Sequence, residues 1–295
     1  MAESIPPGYL QTLICRIPSS MGSYEPILTE LEEVLADPQS NLMRIGEVIE
    51  KDPDITARLL RLGNSAFYGF SSRLETVSEA ISLIGIQQVQ DLLVASSVVE
   101  TFAGVSAEFV NMEKFWRHSL ACGIGARLLA IATRVPKPDK LFVAGLLHDV
   151  GRLALFSQGP AKAQEIFELC RSGRMLLREA EVRVLGFDHA QIGEELLRAW
   201  RYPNNLIHAV GYHHFPMSAS PFRAQASLIH VADHLVNAMQ LGSSGEQFVP
   251  PLNLKAWDQL NLAQDILESV LHSIDEQIEA VEDVFLHSRR VVRAA

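Results

Sequence analysis

The sequence predicts an all-α fold, a multi-helix bundle. Apolar residues recur at helical spacing along most of the 295 residues. Asp-Pro, Ser-Gly and Gly stops divide these runs into short helices with tight punctuation. Alternating runs of the kind that mark strands are almost absent, and no internal repeat is found.

Residues 1 to about 20 are rich in Pro, Gly and Ser and are expected to form a loose lead-in. From Glu25, residues Ile27, Leu28, Leu31, Val34 and Leu35 mark one apolar face, ended by Asp37-Pro38. Ser40 or Asn41 caps the next helix, which turns Leu42, Ile45, Val48 and Ile49 inward. Asp52 then serves as N-cap with Pro53 in the first helical position, and Ile55, Leu59, Leu60 and Leu62 face the core. After an aromatic loop, Gly63 to Phe70, helices resume at Thr76–Ile84 and continue beyond Gly85. A long helix follows from about Met112 to Thr133, and its run from Ala121 to Ala126 is small enough to admit another helix closely. Asp188 and Gln191 form a capping box that places His189 in a first turn. Ala224 to Met239 is a further helix, and Leu241 to Glu246 reads as a flexible break. The last helix, about Ala263 to Arg289, spaces Leu267, Leu271, Ile274, Ile278, Val281 and Phe285 as a short heptad seam. It closes the bundle or, alternatively, joins two copies into a homodimer.

Composition narrows the function classes. A formal charge of −10 and a pI near 5.5 argue against a nucleic-acid surface and against attraction to anionic lipid. The N-terminus lacks the pattern of a signal peptide, and apolar runs are interrupted before they could span a bilayer. The expectation is a cytoplasmic protein without nucleic-acid or membrane partners. Cys15, Cys122 and Cys170 lack paired spacing and read as small hydrophobes in a reducing compartment.

The chemistry centres on LFVAGLLHDVGRLALF, Leu141 to Phe156, which reads as one buried helix carrying His148 and Asp149. An isolated carboxylate in such surroundings costs many kcal/mol unless a cation or several donors meet it. Either Arg152, one turn on, supplies the charge, or a metal does so with His148 as co-ligand. Eight of the ten histidines lie between His118 and His234. Antiparallel helices can bring His118, His148, Asp149, His189, His213, His214 and Asp233 to one depth. One ion would take His118, His148, Asp149 and Asp233; Asp149 would bridge to a second on His189, His213 and His214. Nitrogen and carboxylate donors suit Fe or Mn first, then Zn, Ni or Co. Two such ions can activate a water and clamp a phosphoryl group, with Asp149 and Arg152 as the catalytic pair if the chain is an enzyme.

At these positions the chain resembles the HD-domain metal-dependent phosphohydrolases, whose order is H…HD…D. DPQSNLMRIGEVIEKDPDITARLLRLGNSAFYG, AISLIG, LLHDVGRL and GFDHAQIGEELLRAW narrow the resemblance to the HDOD family over about residues 17 to 240. That resemblance implies an all-helical fold, bacterial origin and a role in signal transduction. It divides the chain into a lead-in (1–20), an N-terminal helical part (21–104), an HD-like metal-binding part (105–240) and a linker with C-terminal helix (241–295). The related HD-GYP cyclic-di-GMP phosphodiesterases share the equivalents of all seven ligands. This chain departs from them at Arg152, where they have lysine, at Phe215 and Lys114, where they have glutamate, and at PMSASPF, which replaces their GYP loop. The resemblance therefore implies a regulatory module that binds a protein partner, or a nucleotide or phosphate ligand. The alternative is a metal-dependent phosphohydrolase acting on a nucleotide or cyclic dinucleotide.

Overall fold

The computed structural model describes Pro6 and residues 8–18 and 25–287. Among them the regular structure is helical, without strands. The helices are α1 (Tyr9–Cys15), α2 (Glu25–Ala36), α3 (Leu42–Glu50), α4 (Pro53–Gly63), α5 (Val77–Ile84), α6 (Ile86–Thr101), α7 (Met112–Ala132) and α8 (Pro138–Leu147). They continue as α9 (Val150–Gln158), α10 (Pro160–Gly173), α11 (Leu177–Leu185), α12 (His189–Ala199), α13 (Asn204–Gly211), α14 (Arg223–Met239), α15 (Leu254–Leu260) and α16 (Gln264–Glu282). The chain divides into two units, one of residues 20–101 with 273–295 and one of residues 1–19 with 102–272.

In the first unit Asn41 and Asp52 cap as the sequence specifies, and Thr76 adds a further cap. Asn41 Oδ1 accepts from Arg44 N at 3.0 Å, Asp52 accepts from Asp54 N and Ile55 N, and Thr76 with Glu79 forms a capping box on α5. These side chains satisfy backbone N–H groups that a helix start leaves unpaired. Leu31, Ile49, Ile55, Ile81 and Val89 fill the core. Two residues expected to face inward do not: Leu35 is 36% and Leu42 45% exposed. Each sits at a helix end, where the apolar stripe runs past its neighbour. Ile274, Ile278, Val281 and Phe285 of the heptad seam are buried, and Val284 and Phe285 join Ile55, Leu59 and Leu62 around a small cavity. Leu267 and Leu271, in the other unit, are half-buried.

The second unit carries the histidines. Gly123 on α7 lets α8 approach closely: a Cβ there would lie 2.7 Å from Phe142 O. Leu141 to Phe156 is not one helix. It breaks at His148-Asp149 into α8 and α9, with Asp149 at φ −100° and ψ 8°. An unbroken helix would splay adjacent side chains by roughly 100°; the break lets His148 and Asp149 face the same centre. The described part of the lead-in, residues 8–18, is also more regular than its Pro and Gly content suggests. α1 buries Leu13 and packs on α9 and α12, and Trp200 Nε1 donates to Pro18 O at 3.2 Å. No single described helix is long and apolar enough to cross a membrane.

α9 meets α12 so closely that a Cβ on Gly151 would fall 2.0 Å from His189 O. Gly151→Ala must push the two helices apart. We expect a loss of about 3 kcal/mol, the upper end for overpacking, measured by urea unfolding. Wild-type stability in that variant would show the contact to be slack.

Candidate metal centre

The seven residues singled out from the sequence converge. His118 comes from α7, His148 and Asp149 from the α8–α9 break, His189 from the first turn of α12, His213 and His214 from just beyond α13, and Asp233 from α14. All but His214 are buried, and His214 is half-buried. The Asp188–Gln191 capping box fixes the start of α12 and so the position of His189.

Asp149 lies between two groups of nitrogens. Its Oδ1 is 2.9 Å from His189 Nε2, while its Oδ2 is 3.3 Å from His148 Nε2 and 3.9 Å from His118 Nε2. Asp233 Oδ1 is 3.2 Å from His118 Nε2 and 3.6 Å from His148 Nε2, and it also accepts from Asn237 Nδ2 at 2.7 Å. His148 Nδ1 donates to Gly145 O at 2.7 Å and His213 Nδ1 to Val210 O at 2.6 Å. These bonds place the proton on Nδ1 and point Nε2 into the centre. His213 Nε2 is buried with no hydrogen-bond partner, and His148 Nε2 faces its two carboxylates off hydrogen-bonding geometry. A buried polar atom left in this way calls for a water or an ion as partner. Ligand atoms of His118, Cys122, His148 and Asp233 lie within 4.8 Å of one another, as do those of His189, His213 and His214. The donor set therefore fits a divalent metal.

Charges in the centre are strongly coupled. Burial works against the charged form of His148, but Asp149 and Asp233 overcome it and carry the group up to about 10. Burial and Arg152 oppose the charge on His189, while Glu181 and Asp149 raise it to about 9. Burial pushes His213 down to about 3, helped by His148 and His189, and puts His214 well below its ordinary value. Asp149 is held low, against burial, by Arg152, His148 and His189; Asp233 is held low, also against burial, by the neighbouring His118 and His148 imidazoles.

Several functional neighbours escaped the sequence reading. Glu181 on α11 is fully buried and accepts from His189 Nδ1 at 2.6 Å and His189 N at 2.9 Å. A carboxylate behind a histidine fixes its tautomer and raises its basicity as a ligand. Arg152 is not a free phosphate grip. Its guanidinium is buried against Asp149 Oδ2 (3.2 Å), Glu181 Oε1 (3.3 Å) and Ser244. The Leu241–Glu246 stretch is no loose linker either. Ser243 N donates to Lys114 O at 3.0 Å, and Gly242, at φ +76°, leaves no room for a side chain, since a Cβ would sit 2.2 Å from Lys114 O. Glu246 Oε2 accepts from Leu177 N, His234 Nδ1 donates to Pro250 O, and Asn253 N donates to His230 Nε2. Beside this strap a chamber of about 270 Å³ reaches His214 and Asp233, with Arg178 and Phe215 at its wall. The Arg178 guanidinium carbon stands 4.8 Å from the Phe215 ring centroid.

Fold and cluster together define an all-helical protein built around a buried His/Asp centre. The chain belongs to the HDOD domain family, whose sequence profile matches residues 21–216. An uncharacterized protein of Treponema pallidum (strain Nichols) is 23% identical over 256 residues, covering 86% of this chain and 48% of the relative. The chain thus spans about half the length of the curated relative it matches. An HDOD domain protein of unknown function from Geobacter sulfurreducens superposes with a TM-score of 0.71 at 24% identity, over 97% of this chain and 95% of that one. A protein from Shewanella amazonensis SB2B, provisionally described as a phosphohydrolase, gives 0.69 at 24% identity over 95% and 98%. At these identities the likeness concerns the fold.

The titrations predict how stability of metal-stripped protein depends on pH. The folded values of His148 and His189, about 10 and about 9, lie above the ordinary 6.5. Their contribution is full below pH 6.5 and is lost as pH rises through those values. His213, at about 3, works in the other direction: its contribution is full above pH 6.5 and is lost as pH falls. Thermal melts in chelator should therefore peak near pH 6.5 and fall on both sides. A Tm that stays level on the alkaline side would contradict the charged histidines.

Proposed function

We propose that the chain is a regulatory module of bacterial signal transduction whose buried His/Asp centre holds divalent transition metal, two ions when full. His118, His148 and Asp233 would hold one and His189, His213 and His214 the other, with Asp149 between them. Iron or manganese suits the nitrogen and carboxylate donors, and zinc, nickel and cobalt are accommodated. The observation that carries the regulatory reading is the state of Arg152. Its charge is committed to Asp149, Glu181 and the Ser244 strap, so it is not held open for a phosphate. The centre serves to hold α7, α9, α12 and α14 in register and to report a bound ligand.

The same reading assigns the N-terminal unit to a protein partner. Leu42, Met43 and Leu83 are exposed on α3 and α5, which pack together; exposed apolar surface of this kind marks partner binding where it is contiguous. A cytoplasmic location follows the same reading.

Phosphohydrolase activity is the second reading, favoured by the chamber that opens onto His214 and Asp233. When bound, two ions supply a polarised phosphoryl oxygen and an activated water. Arg178 and Phe215 would then orient a phosphoester carrying a planar group. That chemistry would serve a nucleotide better than a cyclic dinucleotide, because the chamber is small.

Elemental analysis of protein purified without a histidine tag separates these readings. We expect close to two ions per chain, a loss of at least one in Asp149→Ala, and no turnover at enzymatic rates across a phosphoester panel. Turnover that disappears in Asp149→Ala would replace the regulatory reading with the enzymatic one. Metal-free protein with all seven side chains intact would end both.

A further inference from the structure

Cys122 is one helical turn beyond His118 on α7 and is completely buried. A buried cysteine is ordinarily a small hydrophobe, and its position among apolar residues of α7 gives no reason to think otherwise. Its sulfur, however, is 3.6 Å from His118 Nε2, and it shares a single cluster with His148 and Asp233. His148 Nε2 is fully buried, has no hydrogen-bond partner and points into the same space.

The distances can be tested against a coordination polyhedron. With zinc-type bonds of about 2.05 Å to nitrogen, 2.1 Å to oxygen and 2.3 Å to sulfur, a tetrahedron has N–O edges of about 3.4 Å and N–S edges of about 3.6 Å. The observed N–O separations are 3.2 Å (His118 to Asp233) and 3.6 Å (His148 to Asp233), and the N–S separation is 3.6 Å. Three of the six edges thus match one small tetrahedron, and the other three lie within 4.8 Å.

We propose that Cys122 is a thiolate ligand of the ion held by His118, His148 and Asp233. This inference rests on the metal centre proposed above and specifies its chemistry. On binding, the S–H bond breaks, its proton goes to solvent and sulfur donates its electron pair to the ion; no oxidant or reductant is involved. Two imidazoles, the Asp233 carboxylate and one thiolate, with Asp149 reaching in from between the two positions, select a thiophilic ion, Zn(II), Fe(II) or Co(II), over Mn(II) or Mg(II). The half-site built on His189, His213 and His214 lacks sulfur, so the two positions differ in softness and should fill with different preference.

Cobalt titration into the metal-stripped full chain tests this directly. The expected result is a visible d–d band accompanied by a thiolate-to-cobalt charge-transfer band in the near ultraviolet. Cys122→Ser and Cys122→Ala should lose the charge-transfer band, whereas Cys15→Ser and Cys170→Ser should keep it. A residue bonded to the ion should matter at least as much as one that only supports a ligand, so affinity for the first ion should fall by about 10–100-fold or more in the Cys122 variants. Circular dichroism confirms that each variant is folded; the wild-type spectrum alone decides the matter if one is not. Visible bands without charge transfer in the wild type would overturn the assignment of Cys122 and leave the metal centre standing. Absence of any cobalt band would instead remove the centre on which it rests.

Discussion

Everything in the second unit is arranged around one carboxylate that cannot stay ionised by itself. Asp149 is 2% exposed, at a break between two apolar helices. Ionised and alone it would be prohibitively costly there. The structure surrounds it with Arg152, three imidazoles and a second carboxylate shared by two of them. Each of those groups comes from a different element, so satisfying Asp149 fixes how α7, α9, α12 and α14 meet. The break at His148-Asp149 is part of the same solution, because it lets neighbouring side chains converge where a continuous helix would separate them.

The outer network extends this constraint to the strap. Glu181 binds His189 on one side and Arg152 on the other, and Arg152 continues to Ser244. Residues 241–246 are thereby tied both to the charged core and, through Ser243, to the first turn of α7 ahead of His118. A change in occupancy of the centre would alter the charge facing Arg152 and hence its hold on the strap. That gives a buried site a route to the surface without requiring a substrate to enter it.

The parts legible in the sequence are those where chemistry is local. Asn41, Asp52 and Asp188 are caps recognisable from their own neighbours, and all three cap as expected. The HDOD pattern likewise located the seven polar residues, which the fold does bring together. The misses share a different cause. Glu181 looked like any charge on an amphipathic helix, because its partner His189 becomes adjacent only when α11 folds back against α12. Leu241–Glu246 has the composition of a linker, and its order comes from carbonyls and side chains far away in sequence. Cys122 reads as a small hydrophobe and is buried as one; its place four residues after His118 on one helical face is the sequence hint for the ligand role proposed above.

Charge balance then limits what the centre can do. Asp149, Asp233 and Glu181 bring three buried negative charges, and Arg152 returns one. Without metal, the remaining two are met by His148 and His189 in their protonated forms, which is why burial fails to neutralise those imidazoles. One divalent ion would replace both protons, and a third would leave Cys122 where its sulfur binds, so the first ion exchanges with protons. A second ion has no such exchange available, since His213 and His214 are already neutral. It adds two positive charges to a dry interior and therefore needs anionic compensation. The Cys122 thiolate formed with the first ion would offset one unit, and a small anion entering by the chamber beside Arg178 would supply the other. Full occupancy and anion binding are thus coupled by electrostatics alone: whatever raises one must favour the other, and that coupling is what a regulatory site requires.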